Sequence, residues 1–125
     1  MSIYRKVVGK PGPATFHVDQ LGSDTSGNGS EEKPFLTIQH VIDHCYSNSI
    51  TEFTVMVDSP LIEAKVGIKD STRVTISAKE GLGALQNGVY IELIYADASS
   101  VPDPKRWVIL NNVSVGQFRA IYSEE

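Results

Sequence analysis

Lys33-Pro34-Phe35-Leu36-Thr37-Ile38-Gln39-His40-Val41-Ile42 is the stretch on which the fold turns. Thr37 is a helix N-cap by type, because its hydroxyl can accept a hydrogen bond from an orphan amide one turn on. Ile38, Val41, Ile42 and Cys45 then recur at i, i+3, i+4 and i+7, which is one apolar stripe of an α-helix. Gln39, His40, Asp43 and His44 fall on the other side, and Ser47-Asn48-Ser49 ends the helix, so the expected span is about 37–47. Upstream, Gly22-Ser23-Asp24 and Gly27-Asn28-Gly29 lie in a loop dominated by Gly, Ser and Asn. Before that loop, Phe16-His17-Val18-Asp19 is a short strand candidate.

Beyond residue 50 the period changes from 3.6 to 2. Phe53-Thr54-Val55-Met56-Val57 reads as a strand bounded by Asp58-Ser59-Pro60. Leu61-Ile62-Glu63-Ala64-Lys65-Val66 and Gly67-Ile68-Lys69 read as short extended pieces. Arg73-Val74-Thr75-Ile76-Ser77 is a strand with Val74 and Ile76 facing one way. Val89-Tyr90-Ile91-Glu92-Leu93-Ile94-Tyr95 is a longer one. Arg106-Trp107-Val108-Ile109-Leu110, Val113-Ser114-Val115 and Gln117-Phe118-Arg119-Ala120-Ile121-Tyr122 follow, with Asn111-Asn112 as a corner. Val, Ile, Thr and aromatics fill these runs, as strands prefer. Residues 81–88 and 98–104 read as turns and loops. At the N-terminus, Pro11-Gly12-Pro13 suits neither a helix nor a central strand, so residues 1–15 are expected to form an extended arm and residues 16–125 one domain.

Residues 16–42 resemble the N-terminal cap of pectate-lyase-like right-handed parallel β-helices, the family that includes many bacteriophage tailspikes. Such caps carry an aromatic-x-Val strand, Gly-Ser-Asp, a Gly/Ser/Asn loop, then Lys-Pro-Phe-x-Thr-Ile-Gln and a short helix. Here the matching residues are Phe16 and Val18, Gly22, Ser23 and Asp24, Gly27, Asn28 and Gly29, and Lys33, Pro34, Phe35, Thr37, Ile38 and Gln39, with Val41 and Ile42 on the helix. A solenoid exposes an apolar end at its first coil, and an amphipathic helix laid across that end buries it. The resemblance implies a mainly β chain: a short right-handed parallel β-helix-like stack of about three coils, near the minimum for a solenoid, with one N-terminal capping helix. The alternative is an α+β domain with its helix on an antiparallel sheet. Family enzymes are much longer, so the far end of this stack needs cover from its own last strands, a sister subunit or another protein.

The chain has 125 residues, 41% apolar and 21% charged, with a net charge of −4. That fits one ordinary globular domain and argues against a nucleic-acid backbone as partner. Neither a signal-peptide h-region nor a stretch of membrane-spanning length is present, so no membrane is expected and synthesis in a host cytoplasm without a secretion signal is. Cys45 stands alone, which rules out an internal disulfide.

Polysaccharide cleavage in the resembling family uses acidic residues, and glycosidase chemistry needs two carboxylates across a cleft. The candidates Asp58, Glu63, Asp70 and Glu92 lack a diagnostic context and read as solvated surface groups. Asp24-Thr25-Ser26-Gly27-Asn28-Gly29 copies the start of an EF-hand loop, but Phe35 stands where the bidentate Glu belongs, so Asp24 and the glycines read as turn formers. His40 and His44 have zinc spacing but no evident third ligand. Gly81-Leu82-Gly83 lacks the third glycine of a dinucleotide loop.

No catalytic, cofactor or metal residues are therefore expected. Gly22, Asp24, Gly27, Pro34, Phe35, Thr37, Ile38, Val41 and Ile42 are expected to define the cap. His40, His44, Pro11, Pro13, Trp107 and Tyr122 are the candidate interface residues. The resemblance points to a non-enzymatic virion protein of a tailed phage, a capsid decoration (cement) protein or small tail or fibre component. Its expected partners are itself, as a homotrimer, and a phage capsid or tail protein. The alternative is a carbohydrate-binding or polysaccharide-cleaving adhesin module.

Overall fold

A computed structural model describes residues 14–79, 88–97 and 105–119. The order of elements is β1 (Ala14–Val18), α1 (Ile38–Ser47), β2 (Glu52–Val57), β3 (Leu61–Ile68), β4 (Arg73–Ala78), β5 (Val89–Ala96), β6 (Trp107–Asn111) and β7 (Val113–Arg119). Among the described residues the chain is mainly β with one helix. Pro11, Pro13 and Tyr122 lie outside the described residues, as do the turn at 81–87 and the loop at 98–104. Strand β1 takes in Ala14 and Thr15, two residues that the sequence assigns to the arm. Among the described residues, no helix is long and apolar enough to cross a membrane.

The strands form two sheets, ordered β1-β2-β4-β6 and β3-β5-β7. Every pairing among the described strands is parallel. This overturns the antiparallel alternative. From β2 onward the chain alternates between the sheets, and from β4 onward each strand pairs with the one two places earlier. Parallel neighbours cannot be joined by a hairpin, so the intervening strand in the other sheet serves as the crossover.

Register aligns the buried side chains in columns. In the first sheet, Phe53 lies beside Val74, and Val74 beside Val108. Phe16, Val55, Ile76 and Leu110 form the next column, and Val18, Val57 and Ala78 a third. Val18, Phe53, Val55, Val57, Val74 and Ile76 are buried. Each fully buried Val, Ile or Phe contributes about 1.5–3 kcal/mol relative to exposure.

The second sheet breaks strict alternation. In β3, Ala64 and Lys65 are both exposed, and the inward side switches from Leu61 and Glu63 to Val66 and Ile68. Strand β5 does the same, from Val89 and Ile91 to Ile94. A strand's side chains alternate with period 2, so the switch marks a bend, repeated one rung down. The sequence divides 61–69 between Val66 and Gly67, but β3 runs through that point as a single strand.

Corners are tight. Asn112 alone links β6 to β7 with φ 59°, and Ser71 turns the chain before β4 with φ 60°. Asn visits this left-handed region at low cost because its short polar side chain bonds locally, as the corner expected at Asn111-Asn112 requires.

The inward and outward phases make a direct test. Ile91→Ala should cost about 2–5 kcal/mol in urea unfolding, whereas Ile62→Ala, at an outward position 80% exposed, should stay within about 0.5 kcal/mol. Equal losses would contradict the register.

Candidate functional site

The first-sheet edge at β1 is covered by the chain that follows it. His17 N donates to Gly29 O at 2.7 Å, Phe35 N to His17 O at 2.9 Å, and Asp19 N to Phe35 O at 3.0 Å. Phe35 thereby makes a parallel bridge to Val18. The loop packs so closely that a Cβ on Gly22 would lie 2.3 Å from Phe35 O, and one on Gly27 2.3 Å from Pro34 O. Both glycines are there for close backbone approach, and Pro34 O is held by Ser23 N at 3.1 Å.

Asp24 ties this loop to the helix. Its carboxylate accepts Leu36 N at 2.8 Å, Thr37 N at 3.1 Å and the Thr37 hydroxyl at 2.8 Å. Thr37 is the N-cap and accepts His40 N at 3.1 Å. Glu63, from β3, accepts the two remaining first-turn amides: Ile38 N on one oxygen and Gln39 N on the other, both at 2.9 Å. The amides of Thr37, Ile38, Gln39 and His40, which a helix cannot satisfy internally, are all bonded.

The helix returns the service to the second sheet. Strand β3 is that sheet's edge. Gln39 Oε1 accepts Gly67 N at 2.6 Å and Gln39 Nε2 donates to Gly67 O at 3.2 Å. The primary amide thus stands where a neighbouring strand's peptide group would be. Ile38, Val41, Ile42 and Cys45 are fully buried in the core below. Lys69 adds a peripheral tie, 2.7 Å from Asp97 and 3.6 Å from Asp43 of the helix. Asp97 is the main reason the Lys69 ammonium is held above its ordinary range.

His40 and His44 are not on an open outer face. They are half-buried against aromatic rings: Phe35 to His40 at 4.5 Å, and Phe35 and Phe16 each 5.5 Å from His44. The aromatic residues of the covering loop and β1 curl over that side of the helix, which helical periodicity cannot register.

The carboxylates are also more committed than the sequence suggests. Asp58 accepts His17 Nδ1 at 2.8 Å, Glu63 caps the helix, and Asp70 pairs with the buried guanidinium of Arg106. Glu92 is exposed. Burial pushes the Glu63 carboxyl above its ordinary range. The two helix amides act in the opposite direction and the Asp24 charge adds to the rise. Burial also pushes the Cys45 thiol up to about 12.

At the other end, β6 and β7 are the last of the described strands in their sheets. Val108, Leu110, Val113 and Val115 are only partly buried there. Phe118, in register with buried Ile94, is 50% exposed, and Trp107 is half-buried in register with Arg73.

Sequence reasoning missed the roles of Gln39 and Glu63. For Glu63 a signal existed: it occupies an inward phase of β3, in register with buried Ile91. Comparison with family models, curated proteins and solved structures gives no match to this chain.

Two measurements probe the cap. Glu63→Ala strands the Ile38 and Gln39 amides and should cost about 1–3 kcal/mol. Folded Glu63 holds its proton more tightly than the unfolded chain, whose value is near 4.5. Its contribution is therefore full below that value and declines as pH rises through the folded one. The deficit of Glu63→Ala should be larger in urea unfolding at about pH 4 than at about pH 7. In the native protein Cys45 should resist thiol alkylation, since the thiolate is the nucleophile, and should react at the rate of global unfolding.

Proposed function

We propose that this chain is a non-enzymatic structural module of a tailed-bacteriophage virion: a short right-handed parallel β-helix of about three coils, closed at its first coil and joined to other proteins at its last. The observation that carries the reading is the contrast between the two ends. At one, the loop before α1 bonds His17 and Asp19 at the edge of β1, and Gln39 of α1 bonds Gly67 at the edge of β3. At the other, β6 and β7 are the last of the described strands in their sheets, and partly buried apolar side chains line that end. An apolar surface left partly open at the end of a stack is where a protein partner packs.

The virion assignment rests on the likeness of residues 16–42 to tailspike caps. That likeness is supported by what its residues do: Asp24 organises the loop, Thr37 caps the helix, and Gln39 bonds the edge of β3 at Gly67. The engagement of Asp58, Glu63 and Asp70 with protein groups favours structure over carbohydrate cleavage. The partners proposed are sister copies, as a homotrimer, and a capsid or tail protein, as in decoration or a small tail component.

Sedimentation equilibrium and co-sedimentation with phage heads and tails test this reading. A trimer that binds particles is expected. Phe118→Asp should dissociate it and abolish binding while circular dichroism still reports the folded strands, and Ile62→Asp, on an outer face, should not. A stable monomer at micromolar concentration without affinity for either particle would overturn it.

A further inference from the structure

We draw no further inference here: the strongest candidate, the apolar patch that Ile62 and Tyr90 form side by side on the outer face of the second sheet, carries nothing because nothing in the structure shows what covers it.

Discussion

The meeting of α1 with the edge of β3 is the constraint on which the rest of the molecule depends. A helix start has donors with no internal partner, and a sheet edge has both donors and acceptors in the same condition. Here each deficit answers the other. The Glu63 carboxylate takes two amides from the helix, and the Gln39 side chain takes and gives one hydrogen bond at Gly67. Both contacts are partly buried, where an unpaired polar group is most costly. The apolar stripe can lie on the core only because the polar groups on either side of it are matched.

That junction also sets the starting level for both sheets. Asp24 links the helix start to the loop, and the loop lays Phe35 beside Val18. Phe35 thus lies beside the first strand of one sheet and Gln39 beside the first strand of the other. A strand slipped by one residue would turn its inward column outward. In β2 this would expose Phe53, Val55 and Val57 together, which makes the observed register much the most favourable.

Much of this was legible in the sequence. The helix stripe, its cap at Thr37, the Gly-Ser-Asp loop and most strands follow from local periodicity and turn chemistry. The corner at Asn112 was legible for the same reason. What stayed hidden depends on contacts across long sequence distances. Glu63 reads as a surface carboxylate because its two donors come from a helix far upstream in the chain. His40 and His44 read as outward because helical periodicity cannot announce that Phe16 and Phe35 will fold over them. The sequence divides 61–69 before Gly67, yet β3 runs unbroken from Leu61 to Ile68, because its pairing with β5 continues through that point.

The spacing of the rungs has a further consequence. In the first sheet, the chain steps from Glu52 to its neighbour Arg73 over a much shorter stretch than from Arg73 to Trp107. In the second, the step from Leu61 to Val89 is longer than that from Val89 to Val113. Successive turns of the chain therefore consume unequal amounts of polypeptide while their flat portions remain aligned. The molecule is repetitive in space and aperiodic in text. A change of length in a connecting segment would therefore leave the aligned columns in place.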